Sequence, residues 1–288
     1  MGSSLRLLGR SDTAAVRALC DLDPVTNVFV AGRIEGAGSA DPHSMAGELW
    51  GYFRDSTLVS ALWNGANVIP VNAQPDAIAA FAKHLASRPR RCSSLVGLSA
   101  PVLDLASQLS TWPDPREIRA NQPLMLLNRP PRIAADPGVT RARKRDLDVI
   151  FAASVAMFEE EVGYSPVSSD GGNDYRRRVE SLISRGQSFA RIEDDVDGWP
   201  AKGARQVVFK ADIGASSSSA VQIQGVWVHP SRRGEQLAAP GMAAVAMAAR
   251  REIAPLVSLY VNDYNQRALA AYRRVGFEQI GSFATVLF

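Results

Sequence analysis

The sequence predicts an α/β fold, a mixed central sheet flanked by helices, laid down twice along the chain. Three observations predict it. Two stretches repeat one order of helical and strand-like segments. A proline-punctuated segment, "NRPPRIAADPG" from Asn128 to Gly138, separates them, and proline restricts both itself and the residue before it. Finally, 288 residues suit two domains of about 150 residues each. The expected boundaries are 1–130 and 138–288.

In the first stretch "LRLL" is strand-like. "SDTAAVRALCDLD" opens on the cap candidates Ser11 and Asp12 and carries an apolar face through Ala15, Leu19 and Leu22, so it predicts a helix. "NVFVAGRIEG" is a second, shorter helix. "ELWGYFR", "TLVSALWNG" and "NVIPVN" are successive strands, with "NGAN" as turn chemistry between the last two. "QPDAIAAFAKHLASR" is helical with Pro75 in its first turn. Strand "SSLVGL", helix "PVLDLASQLSTW" and strand "QPLMLLN" follow.

The second stretch repeats this order. "DLDVIFAASVAMFEEEVG" is a helix, and "NDYRRRVESLISRG" is another with Asn173 as cap and Gly186 as stop. "SFARIED", "RQVVFKADIG" and "AVQIQGVWVHP" form a meander, with "DVDGWPAKGA" as a long loop and Ser216–Ser219 as a flexible turn. Helix "LAAPGMAAVAMAARREI", strand "LVSLYVN", helix "NQRALAAYRRVG" and the alternating strand "FEQIGSFATVLF" complete it.

Composition narrows the function classes. Hydrophobic residues make up 46% and charged residues 21%, ordinary for a globular protein able to bury a core. Two cysteines, Cys20 and Cys92, stand in no metal or redox spacing, which fits a reducing cytoplasm and argues against a disulfide scaffold or zinc site. No apolar stretch approaches the length of a membrane span, and "MGSSLRLLGR" has no signal-peptide core. A net charge of +3 gives little reason to expect nucleic acid, despite a pI near 9.0. The basic runs Arg141–Arg145 and Arg176–Arg178 lack interleaved aromatics and read mainly as solvated faces.

The chemistry-bearing stretch is "GVWVHPSRRGEQLAAPGMAAVAMAARRE", Gly225 to Glu252. An apolar strand runs through a tight basic turn straight into a helix of small residues. The first N–H groups of a helix have no internal partner, and the helix dipole adds partial positive charge there. A pyrophosphate can accept those bonds. Gly234 permits close backbone approach, and Arg232 and Arg233 add charge nearby.

This stretch resembles the cofactor motif of the GNAT (Gcn5-related N-acetyltransferase) superfamily: Arg/Gln-x-x-Gly-x-Gly/Ala after a strand ending V-x-V-x-P. Val226-Trp227-Val228-His229-Pro230 matches the strand end, Arg233 the Arg position and Ala238 the last small position, whereas Gln236 stands in place of the middle Gly. The tail "LYVNDYNQRALAAYRRVGFEQIG" resembles the family's second signature through Asn265, Ala268, Tyr272, Gly276 and Phe277. Beyond these motifs, the chain resembles two-part actinobacterial proteins in which a domain of uncharacterised function precedes such a domain.

The resemblance implies tandem GNAT-like folds and an N-acetyltransferase that moves an acetyl or short acyl group from acyl-CoA to an amine on a small molecule or protein. A non-catalytic acyl-CoA-binding regulatory module is the alternative, and a homodimer is compatible with either. It further implies that the backbone of Val226, Trp227 and Val228 lines the pantetheine arm. Arg233, Gly234, Glu235, Gln236, Leu237 and Ala238 would hold the pyrophosphate, and Asn265 and Tyr272 would lie against the cofactor. Val228 N–H is then the oxyanion donor and Tyr272 the general acid. The base is less determined, because Gln222 and Gln224 on the strand before the motif cannot accept a proton. Deprotonation would fall to a water relay or to a carboxylate from elsewhere; Glu159, Glu160 and Glu161 at a helix end are the carboxylate candidates, with Glu160 central, and His229 reads as a turn residue. The first stretch has "VNAQPDAIAAF" where the motif belongs. Pro75 removes an N–H and Asp76 adds a negative charge, so that copy is degenerate and is not expected to bind acyl-CoA.

Overall fold

In the computed structural model, which describes residues 2–167, 171–194 and 205–288, the two halves have the same element order. The first runs β1 (Ser3–Leu7), α1 (Thr13–Asp21), α2 (Val28–Ala37), β2 (Glu48–Arg54), β3 (Thr57–Asn64), β4 (Asn67–Val71), α3 (Pro75–Ala86), β5 (Ser94–Leu98), α4 (Ser99–Ser107) and β6 (Glu117–Leu127). The second runs β7 (Thr140–Arg141), α5 (Leu147–Val162), α6 (Asn173–Ser184), β8 (Ser188–Asp194), β9 (Arg205–Ser216), β10 (Ala220–Val228), α7 (Ala238–Glu252), β11 (Leu256–Tyr260), α8 (Gln266–Val275) and β12 (Glu278–Leu287).

The halves are joined through one 12-stranded sheet of order β1-β2-β3-β4-β5-β12-β6-β11-β10-β9-β8-β7. The last strand of each half crosses into the other. β12 pairs antiparallel with β5, Phe283 opposite Leu98, and β6 pairs antiparallel with β11, Leu124 opposite Tyr260. The two exchanged strands also pair with each other, Glu278 opposite Leu126 and Leu287 opposite Glu117.

Side chains alternate across a strand, so neighbours on the exchanged strands enter opposite cores. Leu124 and Phe283 pack with α1 and α2, through Val16 and Ile34, around Trp63. Met125 joins Met242 of α7 and Tyr272 of α8 on the other face, where Ala284 also meets α3 and α4. On β8 the same alternation sends Phe189 to the α7 core and Ala190 to α5 and α6. One face therefore carries α1, α2, α5 and α6, and the opposite face carries α3, α4, α7 and α8.

Several expectations shift locally. Asn173 is the first residue of α6 rather than its cap; Gly172, at φ +82, takes the cap position. Gly186 does stop the helix, at φ +65, with its N–H on Ile183 O at 2.9 Å. The short strand β7 is additional, and β6 begins five residues before the expected "QPLMLLN". The turn around Ser218 is anchored rather than loose, because Ser218 N–H and Oγ both donate to Glu35 of α2 at 2.8 Å. The long loop expected at "DVDGWPAKGA" lies outside the described residues.

Candidate active site

β10 and β11 run parallel but pair only through Ala220–Gln222 and Leu256–Ser258. Past that point the ladder stops, and the cause lies in β10. Its register against β9 slips between Gln224 and Trp227, and Gly225 sits there at φ +61. That conformation suits glycine, and an added Cβ would lie 3.1 Å from Asp212 Oδ2. This bulge bends β10 away from β11 and opens a gap in the sheet. His229 N–H donates to Val208 O at 3.1 Å. Alternation in an antiparallel ladder then points the N–H of Val228 away from β9, toward the gap. The Val228 carbonyl accepts from Arg233 Nε at 3.2 Å.

At the end of this strand the chain forms an exposed turn before α7. The N–H groups of Gly234, Gln236, Leu237, Ala238 and Ala239 have no protein acceptor among the described residues, while Gly241 makes the first α-helical bond, to Leu237 O at 3.0 Å. Pro240 falls in the first turn, where its missing N–H matters least. Gly234 lies at φ +96 and Gln236 at φ +61. Gln236 thus keeps the left-handed backbone that the motif's glycine would supply, and its side chain swings out to Arg274 of α8. The charges differ from expectation. Arg232 is held by Glu193 at 2.7 Å and Glu235 at 2.8 Å, and Arg233 pairs with Glu160 at 2.5 Å.

The other expected residues divide. Tyr272 is buried in the α7–α8 core, edge-on to Phe277. Burial pushes its phenol well above the ordinary value, and its hydroxyl has no hydrogen-bond partner among the described residues. Asn265 caps α8, its Oδ1 accepting from Ala268 N–H at 3.2 Å. Trp227 sits in register with Lys210 of β9 and buries its indole against α5 and α6. Its Nε1 donates to Glu160 at 3.2 Å. His229 holds the turn through Ser231 Oγ at 2.9 Å and Gln206 at 2.6 Å. Burial, then Arg233 and Arg232, keep its pKa below the usual imidazole value.

Two groups escaped the sequence reading. Lys210, fully buried, pairs with Asp212 at 2.7 Å and reaches Gly225 O at 3.2 Å, directly under the bulge. A cavity of about 390 Å³ opens between α2 and α6 on the sheet face opposite Tyr272. Gln222 and Gln224 of β10 and Tyr260 of β11 border it, so it lies beside the gap. Arg178 and Leu182 reach it from α6, and Arg185 from that helix's C-terminal cap. Their i, i+4, i+7 spacing is visible in the sequence, yet a basic stripe at that spacing also describes a solvated face.

Residues 201–277 match the Acetyltransferase (GNAT) family, and residues 47–150 match a domain of unknown function, DUF4081. The family match thus places a GNAT-like domain in the C-terminal part of this chain. No curated protein matches the chain. Among solved structures, a Drosophila protein aligns at TM-score 0.64 and 14% identity, over 100% of this chain and 99% of its own. A tandem GNAT protein from the clavulanic acid biosynthesis pathway aligns at 0.56 and 14%, over 99% and 98%. A GCN5-related N-acetyltransferase from Sphaerobacter thermophilus aligns at 0.56 and 16%, over 99% and 95%. These likenesses establish the tandem GNAT fold. In that frame the gap and the turn before α7 belong to the C-terminal GNAT copy, and the cavity is lined by both halves.

Proposed function

We propose that this protein transfers an acetyl or other short acyl group from acyl-CoA to a primary amine by direct attack. The observation that carries the reading is the gap between β10 and β11 leading to five unpartnered N–H groups at the start of α7. A pantetheine arm has amides that can extend a sheet, and a pyrophosphate needs donors of this kind. Val226 and Val228 would pair with the arm. The amides from Gly234 onward would hold the diphosphate, and Arg233 would add its charge once turned from Glu160. Asn265 would border the arm from the start of α8.

In this reading the thioester lies in the plane of the sheet, with a different group on each face. The amine enters from the cavity, where Tyr260 and Gln224 stand, and its nitrogen attacks the carbonyl carbon. Negative charge grows on the carbonyl oxygen and is met by Val228 N–H. The C–S bond breaks, and Tyr272, on the opposite face, gives its proton to the departing thiolate. The amine must be neutral to attack, although its solution pKa is about 10. Glu160 is the proposed proton acceptor, released when Arg233 moves to phosphate.

We assign the two copies to 1–130 and 138–288, each completed by the other's last strand. The first is proposed to be inert toward acyl-CoA. The start of α3 holds Asp76, which binds Arg54 at 2.6 Å and Tyr52 at 2.9 Å, so a carboxylate stands where a phosphate would need to be. No helix among the described residues is long and apolar enough to cross a membrane, and Cys20 and Cys92 are free and buried; a cytoplasmic reaction fits both.

Calorimetry with coenzyme A and acetyl-CoA tests the binding half of the reading, and thioester loss with a panel of amines tests the chemistry. The expected result is binding together with amine-dependent turnover. Binding without turnover would identify a regulatory acyl-CoA sensor, and no binding would end the reading.

A further inference from the structure

The cavity on the amine side is chemically one-sided. Arg33 reaches it from α2, Arg178 from α6 and Arg185 from the cap of α6, whereas no aspartate or glutamate among the described residues lines it. None of these three arginines forms an ion pair with a described residue. Their neighbours in sequence behave differently: Arg176 pairs with Asp148 and Arg177 with Asp174. Of the basic run in α6, two members are neutralised on the outer surface, and the third faces the cavity unpaired. Arg33 lies over Phe29 and Trp63, its guanidinium carbon 5.0 and 5.9 Å from their ring centres, so packing holds the charge in place. Burial first, and then Arg185 and Arg178, pull the Arg33 pKa below its ordinary value, as expected for positive charges within reach of one another.

The sheet side of the cavity is lined by no charged side chain among the described residues. Gln222, Gln224 and Tyr260 stand there, beside the gap. A molecule filling this space would meet a cationic mouth and a neutral polar floor next to the reacting carbonyl. A dicationic acceptor would be repelled. A substrate with an oxyanion at one end and an amine at the other would have its oxyanion paired at the mouth and its amine directed inward. The positive field also disfavours the ammonium form of that amine, which eases the proton's transfer to Glu160, outside the cavity lining.

We infer that the acceptor is a small amine that also carries an oxyanion, carboxylate or phosphate, held by Arg33, Arg178 and Arg185. This inference rests on the acyltransferase reading for its amine, while the anion site stands on the cavity alone.

Equilibrium binding to the full chain, without coenzyme A, tests the inference separately from catalysis. The probes are size-matched: β-alanine, 2-aminoethyl phosphate, 3-aminopropanol and 1,3-diaminopropane. Expected is binding of at least one oxyanion-bearing probe at least tenfold tighter than the neutral and dicationic probes. The preference should shrink as salt screens the charges, and Arg178→Gln and Arg185→Gln should each cut it at least fivefold. Comparing the first two probes separates carboxylate from phosphate. Both residues are exposed, so the variants should fold, and unchanged circular dichroism and melting would verify this. Equal binding of all four probes, no binding of either oxyanion probe, preference for the diamine, or a preference that survives both substitutions would overturn the inference. Coenzyme A calorimetry on the same preparation shows whether the acyltransferase reading fails independently.

Discussion

Lys210 and Asp212, two residues apart on β9, form an ion pair at 2.7 Å with side chains 0% and 9% exposed. The pair supports the bulge from below, since Lys210 also donates to Gly225 O, while Asp212 Oδ1 has no partner among the described residues. Removing one member of a buried pair leaves an uncompensated charge and typically costs about 3–5 kcal/mol. Lys210→Met should lower unfolding free energy by about that amount, measured by urea denaturation. The double variant Lys210→Met/Asp212→Leu should recover part of the loss, and a neutral single variant would show that the pair does not hold the bulge.

Tyr272→Phe deletes the proposed proton donor while keeping the ring in its core. The expected effect is a fall in kcat of about 10–100-fold, at the low end for general acids because a thiolate leaves readily. Burial raises the phenol's pKa, so its proton is retained up to and beyond pH 10, the ordinary tyrosine value. Loss of the hydroxyl should therefore lower the rate at every pH below 10 without removing an alkaline limb. An unaltered kcat would assign Tyr272 to packing alone.

Glu160 accepts from Trp227 and pairs with Arg233, bridging α5 to the turn before α7. Glu160→Gln should lower kcat at least about tenfold, as for loss of a general base. Affinity for coenzyme A should change less than threefold. If affinity changed and kcat did not, the carboxylate would be positioning Arg233 rather than moving a proton.

Gln236 occupies the left-handed region at φ +61, a conformation that costs a residue bearing a Cβ about 1–2 kcal/mol. Its side chain is turned to Arg274 and away from the turn. Gln236→Gly should preserve or tighten coenzyme A binding, and Gln236→Val should destabilise the chain by at least about 1 kcal/mol, because β-branching makes that conformation harder to adopt. Calorimetry and thermal melting read the two effects.

The parts of this molecule legible in the sequence are those encoded over short distances. Periodicity located the helices and nearly every strand, and the run from Val226 to Ala238 disclosed a strand, turn and helix start because that site is made of consecutive backbone. The exchange of β6 and β12 was not legible. Both are apolar strands at the ends of their halves, and nothing in their alternation says which neighbour each will pair with. The cavity escaped for the same reason, since Arg33 and Arg178 are brought together only when α2 and α6 lie on one face. Lys210 and Asp212 were hidden inside "RQVVFKADIG", where charges in a strand suggest an exposed face, and only the overlying α5 and β10 bury them.

The closeness of the halves at the cavity depends on Gly32. A Cβ there would lie 2.1 Å from Ser216 O, a backbone atom of the turn that Glu35 anchors through Ser218. Neither side can yield by rotating a side chain, so Gly32→Ala must push α2 away from the end of β9. Overpacking of this kind typically costs about 1–3 kcal/mol, read as a lower urea midpoint. Because α2 carries Phe29 and Arg33 into the cavity, the displacement should raise KM for the acceptor severalfold. Affinity for coenzyme A should stay put, since the amides that would hold it lie in the turn before α7. Equal loss of both affinities would mean that the two sites are coupled through the shared sheet rather than separable at the α2 contact.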